Sequence, residues 1–198
     1  MELFGTKRTL DLPNSDIVYH ASFLDQDRAN TLYRLLSTET PWQQDQITLF
    51  GKTHPQPRLT ALYASNGKSY SYSGITMRPH AFTPALLKIK KEVEQLAQTT
   101  FNACLLNFYR HGKDSNGWHA DDEKELGTNP IIASVSLGTE RFFHLRNKAD
   151  KGIKSKILLQ HGSLLIMKGA TQHYWQHQIA KTTKKIGGRI NLTFRAIN

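Results

Sequence analysis

With a single cysteine, Cys104, in 198 residues, the chain can form no internal disulfide and no zinc site built on cysteine pairs. A reducing compartment is the expectation that follows. Cys104 itself lies in the apolar run Ala103-Cys104-Leu105-Leu106 and is read as a buried, inert thiol. Long apolar runs are also missing: nothing approaches the roughly 20 consecutive residues needed to span a bilayer, and Met1–Leu12 is charged where a signal peptide would be apolar. The chain is therefore expected to work as a monomer in the cytoplasm, or in the nucleus of a eukaryotic cell, without a membrane partner. There is no internal repeat and no low-complexity tract. Acidic residues are few, 16 against 26 Lys and Arg, and the net charge of +10 predicts attraction to a polyanion such as nucleic acid. Surplus lysine that merely aids solubility explains the same number, so charge needs a motif to decide its meaning.

What is present describes one folded domain over residues 1–198, with 38% hydrophobic and 21% charged residues giving an ordinary soluble core. Residues 22–37 read as a helix, with Asp25 as N-cap and Leu24, Leu32, Leu35 and Leu36 on the apolar face. Thr83-Pro84 starts a second helix, carried on by Leu86, Leu87, Ile89, Val93 and Leu96. From Ala103 the pattern changes to short runs suited to strands: Ala103–Tyr109, Ile131–Leu137, Arg141–Arg146, Ile157–Gln160, Ser163–Met167 and Arg189–Ile197. Glycines at 138, 162, 187 and 188 punctuate them. The fold class is α+β, mainly β: an antiparallel jelly roll over 101–198, with helices from the first 100 residues packed on one outer side. The basic stretch 146–156 reads most simply as a solvated hairpin tip.

Three segments carry chemistry. In Trp118-His119-Ala120-Asp121, an imidazole and a carboxylate two residues apart point to one side if the chain is extended there. That is half a metal site, and by itself a common coincidence. The run His173-Tyr174-Trp175-Gln176-His177 offers a third ligand twice over. Two histidines with one carboxylate suit Fe(II), because they leave coordination positions open for a chelating co-substrate and dioxygen. In the last strand, Arg189, Asn191, Thr193 and Arg195 share one face while Ile190, Leu192 and Phe194 share the other. Guanidinium groups turned inward need an anion, and a dicarboxylate would serve; alone, the strand reads more simply as an edge with its polar face in water.

These residues, together with Phe50-Gly51-Lys52, Pro57-Arg58, Tyr70-Ser71-Tyr72-Ser73-Gly74, Asn107-Phe108-Tyr109, His119-Ala120-Asp121-Asp122-Glu123, Ala133-Ser134-Val135-Ser136 and His161-Gly162-Ser163-Leu164-Leu165, give a chain that resembles the AlkB-type Fe(II)/2-oxoglutarate-dependent dioxygenases. The similarity runs from about Leu49 to Ile197 and is strongest to the animal DNA-repair homologues. The resemblance implies a double-stranded β-helix with iron held by His119, Asp121 and His177, leaving His173 as a neighbour. It implies 2-oxoglutarate contacted by Asn107, Tyr109, Arg189, Thr193 and Arg195 with Asn191 in support, one arginine pairing with the distal carboxylate. It further implies that Tyr70 and Tyr72, on one face of a strand, line a lesion pocket where a base stacks. Phe50, with Gly51 and Lys52 beside it, would fill the gap left by an extruded base, and Arg58 would contact nearby DNA. Asp122 and Glu123 would favour the positive charge of 1-methyladenine or 3-methylcytosine.

The activity so implied is oxidative dealkylation of N-alkylated bases in DNA, a direct-reversal repair. RNA as substrate, or a protein or small molecule hydroxylated by a related oxygenase, are the alternatives. Residues 1–40 resemble the family weakly and carry no functional expectation.

Overall fold

The computed structural model describes residues 7–49, 51–65, 70–72 and 75–198, the side chains at 48, 49, 70–72, 75 and 76 excepted. In chain order its elements are β1 (Lys7–Leu10), β2 (Asp16–His20), α1 (Gln26–Glu39), β3 (Gln46–Leu49), β4 (Lys52–Pro55), β5 (Leu59–Ala64), β6 (Tyr70–Tyr72), β7 (Ile75–Met77) and α2 (Pro84–Ala97). There follow β8 (Ala103–Tyr109), β9 (Asn116–His119), β10 (Ile132–Gly138), β11 (Arg141–Asn147), β12 (Lys154–Leu159), β13 (Ser163–Lys168), α3 (Thr171–Tyr174), β14 (Trp175–Ile179) and β15 (Arg189–Arg195).

Two sheets face each other as a double-stranded β-helix, or jelly roll. The larger runs β1-β2-β13-β10-β15-β8-β5 and the smaller β12-β11-β14-β9, every pairing antiparallel. The larger sheet is covered on both faces, so its strands alternate between two apolar clusters. Leu105, Ile132, Leu165 and Met167 meet Phe143, Leu145, Ile157 and Trp175 inside the sandwich. Leu106, Val135, Ile190, Leu192 and Phe194 turn the other way, onto Leu32 and Leu36 of α1 and Leu86, Ile89 and Val93 of α2. Each such fully buried side chain contributes about 1.5–3 kcal/mol relative to exposure. On β15 this leaves the inner face to Arg189, Asn191, Thr193 and Arg195.

Both helices start where their caps dictate. Asp25 accepts from the Arg28 N–H at 2.8 Å, so α1 begins at Gln26 and not at residue 22; Leu24 is instead committed to Gly162, whose carbonyl accepts its N–H at 2.8 Å. Thr83 caps α2, with Pro84 in its first turn. Gly162 lies at φ +79 with Leu24 O 2.7 Å from where a Cβ would stand, so both conformation and space require glycine there.

From Ala103 onward β8, β10, β11, β12, β13 and β15 fall within a few residues of where periodicity places them, whereas β9 and β14, the two strands of the smaller sheet that carry His119 and His177, were not among the expected strands. β1, β2 and β5 were not among the expected strands, yet they come from the first 100 residues and complete both edges of the larger sheet. The N-terminal portion is thus built into the jelly roll as well as packed on it. The segment 146–156 is the β11–β12 hairpin, and among the described residues no helix is long and apolar enough to cross a membrane.

Candidate metal centre

The smaller sheet brings two histidines together across one ladder: β9 ends at His119, and β14 sets His177 opposite it in register. A bulge follows between His177 and Ile179, the kind of irregularity that re-aims side chains beside a site. Asp121 lies two residues beyond the strand, so the stretch is not extended throughout. The three side chains still converge, with one ligand atom from each within 4.8 Å of the others. His177 Nε2 is 3.5 Å from Asp121 Oδ2, and the imidazole rings stand edge to face at 4.2 Å. Phe143 stacks on the His177 ring at 4.9 Å. His173, the other candidate, is exposed on α3 and takes no part.

Protonation states favour a cation. Burial, with His119 alongside, pulls the His177 imidazole down to about 3, and burial likewise lowers His119. Burial alone would push the Asp121 carboxyl up, but Arg195 and the two histidines outweigh it and hold the group below its usual range. Two neutral imidazoles and one carboxylate are the donor set that an open-sided Fe(II) centre uses. His119 Nδ1 is 2.7 Å from Gly117 O; a proton on Nδ1 donates there and makes Nε2 the acceptor atom, which meets Asn116 Nδ2 at 3.2 Å and is the atom a metal would take.

Arg195 pairs with Asp121 through Nη2 and Oδ1. At the other end of β15, Arg189 is 1% exposed, 5.2 Å above the Tyr109 ring, and donates from Nη2 to Ser136 Oγ at 2.9 Å. Its Nε and Nη1 find no hydrogen-bond partner among the described residues. Burial lowers this guanidinium to about 10, which leaves it charged at neutral pH. A buried cation with idle N–H groups calls for an anion. Asn191 donates to Ser134 Oγ and Val135 O at 2.9 and 3.1 Å. A cavity bounded by Asn107, Tyr109, His119, Asp121, His177, Asn191, Thr193 and Arg195 joins the triad to Arg195 and to Tyr109, the ring over which Arg189 lies. Both halves fit their expected occupants, Fe(II) at the triad and a dicarboxylate running toward Arg189.

The residues expected to meet a base or DNA divide. Arg58 is a correction: it is 4% exposed and its guanidinium is used inside the protein, Nε donating to Asn107 Oδ1 at 2.7 Å and Nη1 to Ser115 O at 3.3 Å. It braces Asn107 and presents nothing to DNA. Asp122 is exposed and paired with Lys148 at 2.7 Å. Glu123 is partly buried, its Oε2 has no hydrogen-bond partner among the described residues, and burial raises its carboxyl. Gly51, at φ +74 with open space around it, and Lys52 are exposed at the β3–β4 turn. Phe50 lies outside the described residues, as do the side chains of Tyr70 and Tyr72.

Several contributors were not legible. Gln172 accepts from the Asp121 N–H at 2.9 Å, and Arg141 lies 6.0 Å from the Tyr109 ring. Ser134 and Ser136 could have been found from their alternation in an otherwise apolar strand, since they stand opposite Thr193 and Asn191.

A jelly roll holding two histidines and an aspartate beside inward-facing arginines defines a mononuclear non-haem metal centre. The family model described as the 2OG-Fe(II) oxygenase superfamily matches residues 16–195, and the chain belongs to that superfamily as one of its AlkB-type members. It is 42% identical to the Mus musculus alpha-ketoglutarate-dependent dioxygenase alkB homolog 3 over 92% of its own length. It is 38% identical to the Arabidopsis thaliana DNA oxidative demethylase ALKBH2 over 97% of its length and 70% of that protein's. The chain spans 66% of the length of the mouse relative. The solved structure of OsALKBH1 shares the fold, with a TM-score of 0.67 at 18% identity, covering 96% of this chain and 100% of that one.

Proposed function

We propose that the chain is an Fe(II)- and 2-oxoglutarate-dependent dioxygenase that removes alkyl groups oxidatively from N-alkylated bases of nucleic acid, 1-methyladenine and 3-methylcytosine in DNA foremost. The observation that carries this reading is the buried triad joined by one cavity to Arg195, with Arg189 buried farther along the same strand, in a chain similar over most of its length to named DNA oxidative demethylases. When bound, Fe(II) with 2-oxoglutarate and dioxygen supplies an oxidation in which the co-substrate becomes succinate and carbon dioxide and the N-methyl carbon is hydroxylated, to depart as formaldehyde.

The protein's own part is placement. His119, Asp121 and His177 would hold the metal, next to the cavity that their side chains line. Arg189 and Tyr109 receive the distal carboxylate, where guanidinium makes paired hydrogen bonds that an ammonium cannot. Asn107, Asn191, Thr193 and Arg195 line the space between. Glu123 and Asp122, next to the ligands, favour a base that carries positive charge, and a damaged base is the less costly one to extrude. The chain is proposed to act as a monomer, in the cytoplasm or in a eukaryotic nucleus.

Mass spectrometry of 1-methyladenine oligonucleotides, single-stranded and duplex, incubated with the protein, Fe(II), 2-oxoglutarate and oxygen tests the proposal. Methyl loss that requires 2-oxoglutarate is the expected result. Succinate formation without methyl loss would keep the oxygenase and discard this substrate; absence of both would discard the reading.

A further inference from the structure

Asp121 has the weakest local support of the three ligands. β9 stops at His119, so no ladder partner remains for the Asp121 N–H, although the residue is only 2% exposed. A buried N–H in that position must find an acceptor from elsewhere. It finds one on α3, where Gln172 Oε1 accepts it at 2.9 Å. Of the two ends of a carboxamide only the oxygen can accept from a peptide N–H, so this contact fixes which way the Gln172 amide points; its Nε2 is left to face Met167 Sδ at 3.6 Å.

A four-residue helix cannot hold its own position, and α3 is pegged from outside. Thr171 Oγ1 accepts from the Asp16 N–H at 2.9 Å and donates to Lys168 O at 2.6 Å. Trp175, fully buried, donates from Nε1 to Pro13 O at 2.9 Å. The β1–β2 segment thus braces α3 and the start of β14, and β14 carries His177.

We propose that Gln172 is a positioning residue for the metal centre: it fixes the backbone of Asp121 while Arg195 fixes the carboxylate, and it ties the Asp121 loop to the segment that supplies His177. The inference rests on the metal reading proposed above. Gln172 has no charge, so its loss alters the geometry of the site and leaves its electrostatics as they are. That separates it from Arg195.

The test uses the whole chain with Co(II), an oxygen-stable probe with visible absorption bands, titrated into the parent and into Gln172→Met and Gln172→Asn. Methionine keeps the volume without the acceptor; asparagine keeps the amide but is a methylene too short, and decides the matter if the methionine variant does not fold. Co(II) Kd is expected to rise about 10–100-fold, as for other groups that orient metal ligands, and the Tm gain on Co(II) saturation is expected to shrink in step. A residue that only packs would lower Tm equally with and without Co(II) and leave Kd within twofold of the parent; that result overturns the proposal. A parent chain that binds no Co(II) overturns both this inference and the metal reading beneath it.

Discussion

Arg195 and Asp121 meet inside the sandwich as an ion pair between β15 and the loop after β9, their side chains no more than 5% and 3% exposed. The pairing keeps a carboxylate ionised where burial alone would protonate it, and so keeps it ready for a metal.

Arg195→Met strands that carboxylate. Removing one partner of a buried pair costs about 3–5 kcal/mol, and urea unfolding of the metal-free variant should show a loss of that order. Mn(II) should then stabilise the variant more than the parent, because the cation takes over the neutralising role. A loss below about 1 kcal/mol would mean that the pair does not hold Asp121 in its charged form.

Arg189→Met should act in the opposite sense on the metal-free chain. The substitution removes a buried guanidinium with two nitrogens, Nε and Nη1, that have no hydrogen-bond partner among the described residues, so stability should be unchanged or higher in the absence of dicarboxylate. Stabilisation by added 2-oxoglutarate should disappear. Thermal unfolding with and without 2-oxoglutarate reads both effects, and a variant that still gains from the dicarboxylate would move the distal-carboxylate site elsewhere.

Acid should weaken the metal-free fold through His177. Its folded value is about 3 and an unfolded histidine titrates near 6.5, so between these limits the unfolded chain takes up a proton that the folded chain refuses. Stability therefore falls as pH drops from about 6.5 toward 3, by at most about 1.4 kcal/mol per pH unit from this group. Chemical denaturation at pH 7, 6 and 5 measures the slope, and His177→Gln should flatten it.

Lys148→Ala should change selectivity more than stability. The Lys148–Asp122 pair is exposed, 31% and 48%, and such pairs contribute under about 1 kcal/mol. Freeing the Asp122 charge should raise the rate on cationic 1-methyladenine relative to neutral 1-methylguanine, by up to about fivefold at that energy. An unchanged ratio would show that Asp122 does not sense the charge of the base.

Much of the architecture was legible because it depends on local signals. Asp25 and Thr83 cap the helices, and the alternation through Arg189–Arg195 puts four polar side chains on one face. The candidate metal ligands were legible as a short spacing plus two distant histidines, between which the family resemblance chose His177. What escaped depends on chain partners remote in sequence. β1 and β2 have no strong alternation of their own: β2 becomes a strand by pairing along β13, 140 residues and more away, and β1 by pairing along β2. Arg58 looks like a surface cation next to a proline, and only the fold reveals that Asn107 and Ser115 absorb it. Gln172 was silent because nothing in the sequence announces that β9 will end one residue before Ala120 and leave an N–H to be satisfied.

The arginines at 189 and 195 hang from one uninterrupted strand that is bonded along its length to β10 and β8. Their separation is therefore set by the backbone ladder, and no slide can adjust it: a shift of one residue would turn all four polar side chains out of the cavity. The strand works as a fixed ruler between the metal and the far carboxylate. A co-substrate one carbon longer or shorter than 2-oxoglutarate would need new side chains, since the scaffold has no intermediate setting to offer it.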